Sequence, residues 1–258
     1  MNALKMAVFD FDGTLVDSVP AIARGIQLAN EEIGIAPVSY EMAKSIIGLG
    51  FKDIIPIVAP DLPESEYGRY KDIYVRYFLQ SDPSLKLFPG VLELLRELQD
   101  AGIKTAIATG KSRKGLSRIV NRMNVWDYFD DSITADEALP KPDPLMLNTL
   151  LERNGLTMDE IVMIGDTEHD IKLGKAAGVR TIAVTWGAAP LERLEAYKPD
   201  AIVRTMEALK TKLAELASRR EFRRPSGASA ATNPVFSNPL RRTCECALPA
   251  RRCLWPRE

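Results

Sequence analysis

The chain has 258 residues, 46% of them hydrophobic and 27% charged, with a formal net charge of −1. That length allows one core domain plus a smaller one, and the composition is that of a soluble globular enzyme. A charge balance so near zero gives no electrostatic case for nucleic acid or a membrane surface, and no run approaches the length of a membrane span.

The first element in the chain is "KMAVFDFD" (5–12), which reads as a buried strand. Its apolar run is stopped at once by Asp10, so it is not expected to be a secretory leader. Residues 17 to about 86 then carry helical patterns and no convincing β run: "SVPAIARGIQLANEEIG", "SYEMAKSIIG", "FKDIIPIVA" and "PESEYGRYKDIYVRYFLQ". A helical stretch of that size between the first and second strands predicts an inserted cap domain. "PGVLELLRELQDAG" (89–102) sets Val91, Leu94, Leu95 and Leu98 on one stripe and ends at Gly102, a plausible C-terminal cap. "IKTAIATG" (103–110) is the second strand and "DSITA" (131–135) the third. "DPLMLNTLLERNG" (143–155) is a helix ending at Gly155, "EIVMIGD" (160–166) the fourth strand, and "HDIKLGKAAGV" (169–179) a helix ending at Gly178. "RTIAVTWG" (180–187) and "DAIV" (200–203) are the fifth and sixth strands, and a fraying helix is expected from residue 207. Strand runs without alternation predict strands covered on both faces. Strand–helix alternation predicts an α/β fold, a Rossmann-like parallel sheet core with an inserted α-helical cap domain. The expected division is a core of 1–16 and 87–216, a cap of 17–86, and a basic tail of 217–258. No fixed-period repeat is present.

The near-neutral total hides a break. Residues 219–258 hold nine arginines and three glutamates, a charge of +6, which leaves −7 on residues 1–218. All three cysteines, Cys244, Cys246 and Cys253, lie in that tail. A cysteine-free body fits a reducing cytoplasm, and Cys244 and Cys246 with no nearby histidine make poor metal-ligand spacing. The tail loses periodicity and reads as disordered. Its wholly arginine basic content also fits a frameshift or fusion extension, and recovery of a peptide from "TNPVFSNPLR" in the native protein would rule that out.

In an open parallel α/β sheet, ligands bind beyond the carboxyl ends of the strands. The first strand ends at Asp10, with Asp12 just past it. The second ends at Thr109, Gly110 and Lys111, the loop after the third carries Lys141, and the fourth ends at Asp166, followed by Asp170. One rim therefore gathers acids, a hydroxyl and lysine. Clustered carboxylates repel one another, and a hard divalent cation bound through oxygen relieves them; Mg²⁺ is the natural candidate. Carboxylates, Mg²⁺, lysine and a hydroxyl together describe a phosphoryl-transfer site.

"DFDGTLVDS" resembles the first motif of the haloacid dehalogenase superfamily, "ATGK" its second, "KPDP" its third and "GDTEHD" its fourth. They stand in the family's order, with the helical stretch of its first cap subclass between the first two, and the resemblance covers roughly residues 5–215. A lone DxD is weak; four motifs in order, each at a predicted strand end, are specific. The resemblance implies that Asp10 is the nucleophile that forms an aspartyl phosphate and that Asp12 is the general acid and then the base. Gly13 would permit the tight turn beside the phosphoryl group. It implies that Thr109, with the backbone at Gly110, binds a phosphoryl oxygen and that Lys141 neutralises charge. Asp10, the backbone carbonyl of Asp12 and Asp166 would bind Mg²⁺, with Asp170 acting through a water. Lys111 is expected either to touch substrate or to be solvated, and His169 to be outside the chemistry. "SIIGLGFKDII" (45–55) looks like the cap loop that closes over the core site, with Lys52 placed to meet a second anion on the substrate.

The expected partner is a small phosphorylated metabolite, and the nearest group is the phosphoglycolate phosphatase-like one. A sugar phosphomutase of the β-phosphoglucomutase type shares every core motif and differs in returning the phosphoryl group to the sugar. A dehalogenase would need neither Asp12 nor the metal, and a binding protein with a spent site would not retain the motifs. Oligomeric state is not legible in the sequence.

Overall fold

The computed structural model describes residues 3–218. The expectations for residues 219–258, including the three cysteines, lie outside the described residues. Six strands form one sheet: β1 (Met6–Phe9), β2 (Lys104–Thr109), β3 (Asp131–Thr134), β4 (Ile161–Gly165), β5 (Arg180–Val184) and β6 (Ala201–Val203). Their order is β3-β2-β1-β4-β5-β6 and every neighbouring pair is parallel. Each falls within a run read from the sequence and is shorter than it at one end or both. The first stops at Phe9, so Asp10 and Asp12 lie beyond the ladder.

The unalternating runs have the cause expected of them. Ala7 and Phe9 of β1 join one buried cluster, with Ile107, Val162 and Ile164. Met6 and Val8 join the other, with Ala106, Ala108, Ile133 and Met163. Both faces of the sheet are thus covered, which favours apolar residues on either side of each strand. The helices over those faces are α5 (Val91–Asp100), α6 (Arg113–Met123), α7 (Leu145–Asn154), α8 (Glu168–Ala176), α9 (Leu191–Ala196) and α10 (Met206–Ala217). The helix expected to fray from residue 207 is instead docked: Thr205 caps α10 by accepting from the Ala208 amide at 3.2 Å, and Leu209, Leu213 and Leu216 are buried.

Between β1 and β2 the chain builds α1 (Val19–Glu32), α2 (Tyr40–Ser45), α3 (Phe51–Val58) and α4 (Tyr67–Ser81). The insertion leaves and returns as paired backbone: the Asp17 amide donates to Lys86 O at 2.9 Å and the Phe88 amide to Leu15 O at 2.9 Å. Inside it, the buried Asn30 side chain donates to Val58 O at 2.7 Å and accepts from the Tyr70 hydroxyl at 2.7 Å, joining α1, α3 and α4. Among the described residues no helix is long and apolar enough to cross a membrane.

Candidate active site

The strand order reverses direction at β1, with β2 and β3 on one side and β4 to β6 on the other. Such a switch point opens a crevice at the carboxyl ends of the strands, because the flanking connections depart to opposite faces. Asp10 follows β1 at this point and Asp166 follows β4. The Asp10 amide still donates to Ile164 O at 2.8 Å, which holds the two strand ends together.

Asp10, Asp166 and Asp170 are all buried, and each offers a carboxylate oxygen within 4.8 Å of the others. Lys141 is buried with them. Its ammonium donates to Asp10 Oδ1 at 2.7 Å and to Asp170 Oδ1 at 2.6 Å. Asp170 Oδ2 accepts from the Thr167 amide at 3.0 Å and hydroxyl at 2.8 Å, so this acid also caps α8. Asp166 accepts from the Thr14 hydroxyl at 2.7 Å and from the Ala188 amide at 2.7 Å. Asp10 Oδ2 is buried and has no hydrogen-bond partner among the described residues.

Three carboxylates against one ammonium leave a formal charge of −2 in a space shielded from water. The electrostatic consequence is direct. Burial raises the Asp10 carboxyl most, Lys141 pulls it back and Asp170 adds to the rise, leaving it at about 7. Burial, then Asp10 and Asp170, hold Asp166 well above the ordinary carboxylate range. Burial opposes the charge on Lys141, but Asp10 and Asp170 outweigh it and keep the ammonium charged. A charge deficit of two, oxygen-only donors and an anionic oxygen without a partner fit a hard divalent cation. Glycine makes the room: a Cβ at Gly13 or Gly187 would fall onto the Asp166 carboxylate, and one at Gly165 onto Asp170. Gly13 also has a φ of +79°, a conformation costly for any other residue.

Asp12 stands apart from this cluster. Its Oδ1 accepts from the Ser18 hydroxyl at 2.5 Å and its Oδ2 pairs with Lys111 Nζ at 3.0 Å. Two acids only two residues apart therefore occupy different settings, one in a net negative pocket and one in a neutral pair.

The remaining sequence-selected residues divide. Thr109 is buried at the end of β2, and its hydroxyl accepts from the Lys111 amide at 3.2 Å. Gly110 lies directly beneath the insertion, since a Cβ there would sit 3.0 Å from the carbonyl oxygens of Gly48 and Leu49. A Cβ on Gly48 would in turn lie 3.1 Å from Thr167 Oγ1. The 48–50 loop thus covers the strand ends. A cleft of 510 Å³ lined by Leu49, Asp53 and residues 139–143 reaches Lys141 from outside. Lys52 is exposed on α3, one residue before Asp53, and no contact joins it to the acids. His169 lies close to the 48–50 loop, its imidazole held below its usual range chiefly by burial. Sequence reasoning missed Thr14, Ser18, Thr167 and the Ala188 amide as partners of the acids. Thr14 and Ser18 lie inside "DFDGTLVDS", where spacing to the acids was the available signal.

The comparisons agree with this geometry. Residues 7–184 match the family model described as "Haloacid dehalogenase-like hydrolase". A phosphoglycolate phosphatase of Vibrio parahaemolyticus is 32% identical over 216 residues, covering 80% of this chain and 94% of that protein. The phosphoglycolate phosphatase of Vibrio cholerae is 30% identical over 210 residues, covering 78% of this chain and 92% of that one. Among solved structures, one described as a predicted phosphoglycolate phosphatase from Haemophilus somnus superposes with a TM-score of 0.75 at 25% identity, over 82% of this chain and 99% of that chain.

Proposed function

Since the chain belongs to the haloacid dehalogenase-like hydrolase family and is a phosphatase of that family, we propose that it hydrolyses small phosphate monoesters, 2-phosphoglycolate foremost, through an aspartyl phosphate on Asp10. The observation that carries this reading is the buried pocket of three carboxylates and one lysine at the switch point, formally −2, with a separately paired second acid two residues on. Residues 17–86 are read as the cap that closes over a core of 1–16 and 87–216, excluding bulk water from the site.

In the proposed chemistry an oxygen of Asp10 attacks phosphorus while Asp12 gives its proton to the departing alkoxide oxygen. Asp12, now ionised, then takes a proton from the water that attacks the aspartyl phosphate. Inorganic phosphate leaves and Asp10 is restored. Lys141 balances charge on the nucleophile, Thr109 and the Gly110 backbone hold a phosphoryl oxygen, and Gly13 lets the chain pass close to the acids. Asp10, Asp166 and the Asp12 carbonyl would hold Mg²⁺, with Asp170 acting through a water. Bound there, the ion supplies positive charge to the phosphoryl oxygens. Lys52, at the outer rim, would draw in anionic substrate. Ser18 and Thr14 orient Asp12 and Asp166. Uncatalysed hydrolysis of such esters is slow enough that enzymes reach accelerations of about 10²¹, so no one of these effects suffices alone.

The test is phosphate release from 2-phosphoglycolate and p-nitrophenyl phosphate, with and without Mg²⁺, for wild type and Asp10→Asn. One inorganic phosphate per ester, dependent on Mg²⁺ and lost in the variant, is expected. Activity that survives Asp10→Asn refutes the covalent reading. A phosphoryl group returned to a sugar would place the chain with the mutases.

A further inference from the structure

The neutral pair at Asp12 raises a question of charge that the phosphatase reading, on which this inference rests, leaves open. Lys111 Nζ lies 3.0 Å from Asp12 Oδ2, and the two side chains are only 11% and 10% exposed. The same ammonium sits over the ring of Phe78, 4.5 Å from its centroid. Phe78 belongs to α4 of the insertion and is buried. Arg118 approaches that ring at 5.9 Å and is held by Asp82 at 2.8 Å, at the end of the same helix. Tyr74, one turn earlier, stacks on Phe78 with centroids 6.0 Å apart. Its phenol makes no hydrogen bond to another described residue. Burial, and after it the negative charge of Asp12, keep that phenol in its protonated, donating form.

An ammonium so nearly buried needs an anion. In the ligand-free chain Asp12 provides it. Among the described residues the ammonium meets that one carboxylate, through a single oxygen, and the ring of Phe78 offers no second anion. A second anion for Lys111 cannot be the transferred phosphoryl group, which the proposed chemistry sets against Asp10 and Lys141. It must arrive on the alcohol portion of the substrate. Lys111 touches Asp12, and Asp12 must touch the ester oxygen, so the ammonium stands within two hydrogen-bond lengths of that oxygen. A carboxylate one or two carbons away reaches it.

We infer that Lys111, seated on Phe78, with Tyr74 stacked on that ring, is a second-anion subsite that selects phosphate monoesters of short hydroxy acids over those of uncharged alcohols. A substrate carboxylate meets the ammonium beside Asp12, whereas an uncharged alcohol offers it no partner. Two of the three parts come from the insertion, so the subsite is complete only when the insertion is packed on the core.

The test compares 2-phosphoglycolate with its carboxamide, 2-phosphoglycolamide, which keeps the shape and removes the charge. A charge-assisted hydrogen bond in a shielded site predicts a preference of about tenfold or more in kcat/KM for the carboxylate in wild type. Lys111→Met should reduce that ratio about tenfold, mainly through KM for 2-phosphoglycolate. Lys111→Arg, which keeps the charge, should recover part of it, and Tyr74→Phe should lower it by less. Equal kcat/KM for the two compounds in wild type overturns the inference, and that measurement does not depend on any variant folding. An unchanged ratio in folded Lys111→Met also overturns it, as does a ratio that collapses on Lys52→Met instead. Wild type that releases phosphate from neither compound sinks the phosphatase reading itself.

Discussion

Replacing Asp10 by asparagine should stabilise the metal-free chain at pH 8 while abolishing turnover. In the folded chain the Asp10 carboxyl is raised from 3.8 to about 7, by burial most of all. The folded chain therefore holds this proton more tightly than the unfolded chain does. As pH rises, the unfolded chain releases it first, and stability falls between about pH 4 and about pH 7. At about 1.4 kcal/mol for each factor of ten in proton affinity, the full loss is about 4 kcal/mol. Asp166 is shifted in the same direction and adds to it. Asparagine keeps an oxygen for the Lys141 ammonium and has nothing to ionise, so the variant escapes the Asp10 share.

For a chain of this size each kcal/mol moves the melting temperature by about 2–4 °C, so the variant should melt on the order of 10 °C above wild type at pH 8 in chelator. Thermal unfolding followed by circular dichroism, at pH 5 and pH 8 with EDTA, measures the gap, which should be clearly smaller at pH 5. Adding Mg²⁺ should raise wild type and shrink the gap, because an ion that binds only the folded chain stabilises it by mass action. Asp10→Asn melting at or below wild type at pH 8 in EDTA, or a gap equal at both pH values, would refute the claim that this carboxylate is held against its own electrostatics.

Lys141→Met removes the only cation among the described residues in contact with Asp10 and Asp170, and should destabilise the metal-free chain by about 3–5 kcal/mol in urea unfolding and reduce kcat at least ~10²-fold. Gly13→Ala meets both a φ of +79° and the Asp166 carboxylate, so calorimetric titration should show loss of Mg²⁺ binding together with a lower melting temperature. Ser18→Ala leaves Asp12 Oδ1 without its donor; steady-state kinetics on 2-phosphoglycolate should show kcat down by roughly tenfold with KM little changed.

The sheet was legible because its cause is local. A strand covered on both faces needs an unbroken apolar run, and all six runs became strands. Asp10 and Asp166 were legible for a related reason: each interrupts such a run where the strand leaves the core. The helix α6 was readable in principle and was not named. Leu116, Ile119, Val120 and Met123 follow Ser112 at helical spacing, and Ser112 accepts from the Gly115 amide at 3.3 Å as its cap. Frequent Arg and Lys between those positions masked the stripe. What no local pattern carries is the pairing across the fold. Thr14 meets Asp166 across 152 positions and Arg118 meets Asp82 across 36. Ser and Lys near a motif can as easily be solvated, so only the packed chain distinguishes Ser18 and Lys111 from their neighbours.

The roles proposed for the DxD pair, which the family resemblance implies, fit a difference in surroundings. Two carboxylates two residues apart are chemically identical in an extended peptide. Past the end of β1 at Phe9 the two diverge, with Asp10 at the switch point beside Asp166 and Asp170, and Asp12 toward Ser18 and Lys111. An acid in a pocket of charge −2 is an anion that gains by meeting an electrophile or a cation, which is what a nucleophile on phosphorus requires. An acid in a neutral pair has one oxygen on a hydroxyl and the other on an ammonium, so a substrate anion that engages Lys111 also changes what stands beside Asp12. On that proposal the substrate's own charge is read next to the acid, and the discrimination between esters lies mainly in binding.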